Sequence, residues 1–252
     1  SIGASRVATA APDGHTLLLT TSTTVVGNRF LFKNLPFDPD KQLLPITMLG
    51  RSGSFVLTHP SLPAKTLREL VSLARSAPGR VAYGSLGRAS VAHLMFGTIG
   101  KREGVSFLHV PYKGTTLAMT AVASGEVSLF VVSPAGSGAM VKSGKLRAIA
   151  ITSPTRTTLF PQVPSVVESG FPYVTSWIWF GLFAPGATSA QIVERIYRDT
   201  TAIVKRPEFA AKYLTESSLD VVANSPAEIA DAIRADVASF AELVKAANVQ
   251  PE

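Results

Sequence analysis

Val81-Ala82-Tyr83-Gly84-Ser85-Leu86-Gly87-Arg88-Ala89-Ser90-Val91-Ala92-His93-Leu94-Met95 decides the fold class. Val81–Ser85 reads as a short strand, and Val91, Leu94, Met95 and Ile99 then recur at helical spacing. A strand that turns through a glycine-bearing loop straight into a helix is the unit of a parallel sheet covered on both faces. Gly84 and Gly87 let the backbone turn closely. Ser85 and Ser90 can donate to a carboxylate oxygen or cap the helix, and Arg88 can pair bidentately with the same group. An ordinary N-cap with Arg88 in solvent fits the same residues, and His93, one turn into the helix, suits a structural histidine as well as a ligand contact.

Working outward, apolar runs bounded by Gly, Pro and polar residues place further strands at Thr16–Thr20, Ile46–Leu49, Phe55–Thr58, Ser106–Val110, Val127–Val131 and Leu146–Thr152. Three helix starts have capping-box spacing: Thr66 with Glu69, Thr188 with Gln191, and Ser225 with Glu228, the last followed by Pro226 at the first helical position. From Pro226 to about Ala247, residues Ile229, Ile233, Val237, Phe240 and Val244 form one apolar stripe, which predicts a long helix lying on a sheet. Ser1 to Ala11 reads as a short helix through Ile2, Val7, Ala8 and Ala11, followed by the Pro12-Asp13-Gly14 turn. On this pattern the chain is expected to open inside a strand-helix unit, with no strand ahead of the helix in this sequence.

Composition narrows the function classes. Of 252 residues 46% are hydrophobic and 16% charged, which excludes a disordered chain. The longest apolar stretches, such as Thr16 to Val26 and Val127 to Val132, fall short of the roughly 18 residues of a membrane span. Twenty-four Lys and Arg against 17 Asp and Glu give a formal charge of +7, which favours anionic partners. These charges are scattered, with adjacent basic pairs at Lys101-Arg102 and Lys205-Arg206 and no interleaved aromatic platform, so nucleic acid is not the expected partner. The absence of Cys removes disulfides, thiolate metal sites and cysteine catalysis. His15, His59, His93 and His109 stand apart at no ligand spacing, so no metal is expected. The stretch Gly138 to Lys145 fails as a phosphate loop by one residue and by Leu146 in place of a hydroxyl, and no G-x-S-x-G elbow occurs. Neither a cofactor nor catalysis has a positive signal.

Small, hydroxyl-rich or glycine-rich turns instead follow the predicted strands. In open α/β sheets such turns gather at the carboxyl ends of strands, where a following helix offers unpaired N–H groups to an anion. Besides the 85–90 loop they are Thr20-Thr21-Ser22-Thr23-Thr24, Val110-Pro111-Tyr112-Lys113-Gly114-Thr115 and Ser133-Pro134. Tyr112 can wall a pocket and donate through its hydroxyl, and the Gly114 and Thr115 amides open a helix. A plain polar turn at 20–24 and a solvent-exposed Lys113 read equally well.

In this order the motifs resemble the periplasmic solute receptors of tripartite tricarboxylate transporters, often called Bug receptors. The resemblance rests on Ala10-Ala11-Pro12-Asp13-Gly14-His15-Thr16-Leu17-Leu18, Leu35-Pro36-Phe37-Asp38-Pro39, Pro60-Ser61-Leu62-Pro63-Ala64-Lys65, the Ser85 to Ser90 loop and Val110-Pro111-Tyr112-Lys113-Gly114. It continues through Gly144-Lys145-Leu146-Arg147-Ala148, Pro161-Gln162-Val163-Pro164-Ser165-Val166-Val167-Glu168-Ser169-Gly170 and Trp179-Phe180-Gly181-Leu182, and so spans nearly the whole chain.

The resemblance implies an α/β, two-lobed type II periplasmic binding protein fold, each lobe a mostly parallel sheet flanked by helices. Residues 1–57 and 175–252 would form a first lobe and 58–174 a second, with crossings near Phe55–His59 and Tyr173–Trp177. A small carboxylate-bearing or amino-acid-like ligand would sit in the interlobe cleft. Its contacts would come from Thr21, Ser22, Thr23, Ser85, Gly87, Arg88, Ala89, Ser90, His93, Tyr112, Lys113, Gly114, Thr115 and Ser133. The resemblance also implies a periplasmic location, membrane permease subunits as partners, and no enzymatic activity. The sequence departs from the family in three places. The opening strand and Gly-rich loop have no counterpart before Ser1, which predicts an N-terminally incomplete first lobe and self-association through it. Arg88 and Ala89 replace a small polar residue and Gly, and Ser128 stands where Asp is usual. Two other readings stay open: an interaction module with weak or no ligand binding, and an α/β enzyme using Ser85, His93 or Tyr112 in the same cleft.

Overall fold

A computed structural model describes residues 2–88 and 90–250. In chain order the first elements are α1 (Ile2–Ala8), β1 (Leu18–Thr21), α2 (Asn28–Leu31), β2 (Leu43–Ser52), β3 (Phe55–Thr58), α3 (Leu67–Ser76), β4 (Ala82–Ser85), α4 (Val91–Glu103) and β5 (Leu108–Pro111). They continue as α5 (Thr115–Ala123), β6 (Leu129–Val132), α6 (Pro134–Lys142), β7 (Arg147–Ile151), β8 (Ile178–Pro185), α7 (Ala190–Val204), α8 (Pro207–Phe209), β9 (Asp220–Val221) and α9 (Pro226–Ala246). The chain divides into two compact units: Ser1–Arg51, Ile178–Ala241 and Gln250–Glu252 in one, Ser52–Trp177 and Glu242–Val249 in the other.

The second unit holds a five-stranded sheet in the order β5-β4-β6-β3-β7. β4 pairs parallel with β5 and with β6, while β3 runs antiparallel to β6 and β7. Alternation along the strands sorts their side chains onto two faces. Val56, Tyr83, Leu129 and Val131 join Leu67, Leu70 and Val71 of α3 and Ala92, Met95, Phe96 and Ile99 of α4 in one core. Phe55, Leu57, Phe130 and Ile151 join Ala118, Met119 and Val122 of α5 on the other face. Being buried on both sides explains why Phe55-Val56-Leu57 is a continuous apolar run rather than an alternating one. Each such large side chain contributes about 1.5–3 kcal/mol by leaving water. Gly97 sits mid-helix because a Cβ there would come within 2.9 Å of Ala247 Cβ, so α4 accepts the 242–249 segment closely only at a glycine.

The first unit has a four-stranded sheet in the order β1-β8-β2-β9. Here the β1·β8 and β2·β9 ladders are antiparallel, a difference from the mostly parallel sheet expected of this lobe. In both sheets, strands far apart in sequence lie side by side antiparallel: β1 with β8 and β2 with β9, β3 with β6 and β7. Ile46 and Ala184 pack with Val193 of α7. Gly181 lies where Trp179, Phe183 and Ile229 converge, a Cβ there coming within 2.9–3.2 Å of all three. Trp179 Nε1 donates to Asp236 Oδ2 at 2.6 Å, tying α9 to β8. Burial holds the Asp236 carboxyl above its ordinary range, opposed by that bond and by Arg51.

Thr66 accepts the Glu69 N–H at 3.1 Å. Ser225 and Glu228 exchange bonds, Ser225 N–H to the carboxylate at 2.7 Å and Glu228 N–H to the hydroxyl at 3.3 Å. The cap of α7 is Ser189 rather than Thr188: Ser189 Oγ accepts from Ile192 N–H, while Thr188 Oγ1 donates to the Pro185 carbonyl at 2.8 Å. α1 is a helix as expected, but it buries Ala4 and Val7 and leaves Ile2 83% exposed. Strands β8 and β9 lie outside the expected strand spans.

Candidate functional site

β5, β4 and β6 are neighbours in the sheet of the second unit and run in one direction. Each leads into a helix: β5 into α5, β4 into α4, β6 into α6. Three strand ends and three helix N-termini therefore share one edge of that sheet, the position where α/β sheets bind ligands. The residues that open these helices are Ser90, Gly114 and Ser133, and none of them makes a side-chain cap bond. None of the three helices has an acidic residue in its first turn. The side chains of Ser90, Gly114 and Ser133 therefore do not occupy the helix starts, and no first-turn carboxylate opposes the positive end of these helices.

The 85–90 loop is braced from within. Ser85 is fully buried, and its Oγ lies 2.5 Å from His109 Nε2. The same oxygen accepts the Gly87 N–H at 3.0 Å and reaches the Gly87 carbonyl at 3.2 Å. Ser90 Oγ donates to that carbonyl at 2.8 Å, which explains why it does not cap α4. Gly87 has φ +104°, a conformation that excludes a side chain without strain. Arg88 at the tip is exposed. Ala89 falls outside the described residues.

His93, the third residue of α4, meets His109 of β5 with ring centroids 4.6 Å apart. His109 also stacks on Tyr83 at 5.1 Å, whose hydroxyl burial pushes up to about 12. Burial, then His109, then Arg88 lower the His93 pKa; burial and then Arg88 lower that of His109. Burial and like charge thus both favour the neutral ring. In the sequence these two histidines stand 16 positions apart, at no ligand spacing. Strand register, not spacing along the chain, brings them together: β4 and β5 pair Tyr83 with His109, so His109 shares a face with Tyr83 and Ser85.

The remaining expected residues divide by unit. Tyr112 lays its ring over Gly84, 3.4 Å from where a Cβ would stand, and its hydroxyl donates to Glu126 Oε1 at 2.8 Å. Its hydroxyl thus already has an acceptor on the protein. Lys113 is exposed, and Gly114 and Thr115 open α5. Ser133 opens α6, its carbonyl accepting from Ser137 Oγ at 3.0 Å. Thr21, Ser22 and Thr23 belong to the first unit, at the end of β1 and the start of a π-turn over Thr23–Gly27. Beside them Thr20 Oγ1 donates to Thr24 Oγ1 at 2.8 Å.

The strand-end edge of the second unit can hold an anion through amides and hydroxyls. Ser85 and His109 superficially resemble a nucleophile and its base, but a serine with no exposed surface meets no substrate. Among the described residues no group of three or more His, Asp or Glu is placed to hold a metal ion.

Residues 1–249 match the family model described as Tripartite tricarboxylate transporter family receptor. Protein BugT of Bordetella pertussis is 29% identical over 88% of the chain and 68% of its own length. Among solved structures, R. palustris Rpa4515 with adipate superposes with a TM-score of 0.86 at 27% identity, covering 100% of this chain and 84% of that one. MatC from Rhodopseudomonas palustris with bound malate gives 0.79 at 27% identity, covering 96% and 83%.

Proposed function

The chain belongs to the tripartite tricarboxylate transporter receptor family, which are periplasmic solute-binding proteins and not enzymes, and on that premise we propose that it captures a small dicarboxylate for delivery to a membrane permease. One ligand carboxylate sits at the shared edge formed by the starts of α4, α5 and α6. The observation that carries the reading is the triple absence of a side-chain cap on adjacent helix starts fed by parallel strands. Each such start supplies a donor-rich, partly positive end to a carboxylate, and together they do so without a metal. That two related structures contain adipate and malate supports the choice of a dicarboxylate.

Titration calorimetry and thermal denaturation against mono-, di- and tricarboxylates, amino acids and aromatic acids test it. A ligand at 100 times its Kd stabilises the folded protein by about 2.7 kcal/mol, so a saturable rise in Tm is expected for dicarboxylates. Silence across the panel overturns the reading. Ser90→Ala is expected to weaken binding severalfold by loosening the loop, and Lys205→Ala to leave it unchanged. Tyr112→Phe is expected to change little, since its hydroxyl is held by Glu126.

A further inference from the structure

His93 and His109 lie on the proposed binding edge, and the function so far assigned makes no use of them. His93 sits in the first turn of α4, where the carboxylate is placed, and His109 abuts the loop through Ser85. Among the groups that face the pair are Tyr83 and Ser85 from β4, Arg88 from the loop, and the two rings themselves. Phe96 of α4 and Phe107 pack behind Tyr83 at 5.0 and 6.5 Å and add no charge. Arg88 and the neighbouring ring have the sign that opposes a proton. An incoming carboxylate supplies the opposite sign.

The hydrogen bonds around Ser85 suit either charge state of His109. With the ring neutral, the seryl O–H can donate to Nε2 over 2.5 Å. With the ring protonated, Nε2–H donates to Oγ, the seryl proton turns to the Gly87 carbonyl 3.2 Å away, and Gly87 N–H continues to donate to the second lone pair at 3.0 Å. No bond is lost when the proton arrives. A buried serine with two alternative acceptors for its one proton therefore makes the ring's charge state exchangeable.

Resting on the receptor reading, we propose that the His93–His109 pair is a proton-linked specificity element: the site takes up about one proton with its ligand, and the imidazolium so formed joins Arg88 in matching a dianion. Two positive charges then meet the two negative charges of a dicarboxylate, whereas a monocarboxylate leaves one unbalanced. The selected ligand class is the doubly ionised dicarboxylate. Affinity rises as pH falls through the range in which the occupied site accepts the proton.

The test is calorimetry of the full chain with malate and adipate between pH 6 and 8, where ligand carboxylates are ionised, in buffers of different ionisation heat. The expected result is uptake of close to one proton near pH 7 and a Kd up to about tenfold tighter per pH unit of acidification. Lactate, with one carboxylate, should bind more weakly and take up less. His109→Gln and His93→Gln should each reduce the proton uptake, and nitrogen NMR of the wild-type imidazoles should show their pKa values rising on ligand addition. Dicarboxylate binding with no proton uptake and the same Kd at pH 6 and 8 overturns the proton linkage and leaves the receptor reading standing. Failure of the wild type to bind any acid overturns both.

Discussion

Two sets of helix starts in this protein solve the same backbone problem differently. α3, α7 and α9 begin at Thr66, Ser189 and Ser225, whose hydroxyls accept a first-turn N–H. α3 and α9 add a glutamate in that turn, Glu69 and Glu228, which opposes the positive helix end. α4, α5 and α6 begin at Ser90, Gly114 and Ser133 without either device. Ser90 even has the right side chain, yet turns it back to the Gly87 carbonyl. Capping is worth about 1 kcal/mol per helix, so three adjacent omissions on one sheet edge amount to a stability cost concentrated where an external anion can replace the caps.

The comparison is broken most forcefully by giving an open helix the cap it lacks. Ser90→Asp places a carboxylate at the start of α4. Like charges about 4 Å apart repel by about 4 kcal/mol at an effective dielectric of about 20, so dicarboxylate affinity should fall by about 100-fold or more. Stability should meanwhile rise by about 0.5–1 kcal/mol. Opposite signs in calorimetry and in denaturant unfolding are the signature; a more stable protein with unchanged affinity would show that the start of α4 does not meet the ligand.

A smaller effect is expected at Gly87. With φ at +104° and open space around a built Cβ, Gly87→Ala should cost about 1–2 kcal/mol from backbone strain alone. It should also weaken binding by displacing Ser85 and Ser90, whose bonds converge on Gly87. Smaller again, Ser225→Ala removes a closed helix's cap. It should cost about 1 kcal/mol, a Tm change of about 2–4 °C for a chain of this size, with ligand affinity unmoved. An affinity change there would erase the distinction between the two sets of helix starts.

What the sequence made legible follows from how local each signal is. Strand β3 matches its expected span, Phe55–Thr58, because its apolar run is bounded by Gly53 and Pro60 and needs no partner to be seen. β8 escaped because Gly181 interrupts a run that otherwise reads Ile178-Trp179-Phe180, and the reason for that glycine is the tertiary convergence of Trp179, Phe183 and Ile229. β9 has two residues, and its pairing to Gly50 and Arg51 defines it, not its composition. The cap of α7 moved by one position because adjacent Thr188 and Ser189 are chemically equivalent candidates, and only the Pro185 carbonyl decides between them. Hydroxyls at strand ends could be named from type and position. The meeting of His93 with His109, and the capture of the Tyr112 hydroxyl by Glu126, depend on strand register and on a neighbouring loop, which no local pattern encodes.

The smallest expected effect, and the one that sharpens the comparison, is on stability in mild acid. His93 and His109 are held below their ordinary range in the folded protein, by burial first and then by like charge. Below about pH 6.5 the unfolded chain therefore binds more protons than the folded one at these positions, so their contribution is fully present above that pH and is lost as pH falls. Asp220 and Asp236, raised mainly by burial, act in the opposite sense, which is why the measurement is a difference between variants and not a single curve. In His93→Gln and His109→Gln, the fall in Tm between pH 7 and pH 5.5 should be shallower than in the wild type. Saturating dicarboxylate should flatten the wild-type slope in the same window, because an occupied site favours the protonated ring. The closed start of α9 has no such linkage in this range, since the carboxylate of Glu228 is held below its ordinary value by its bonds to Ser225 and stays ionised throughout. A wild-type slope that neither the glutamines nor the ligand alter would place the acid sensitivity elsewhere and detach the imidazole pair from the open edge.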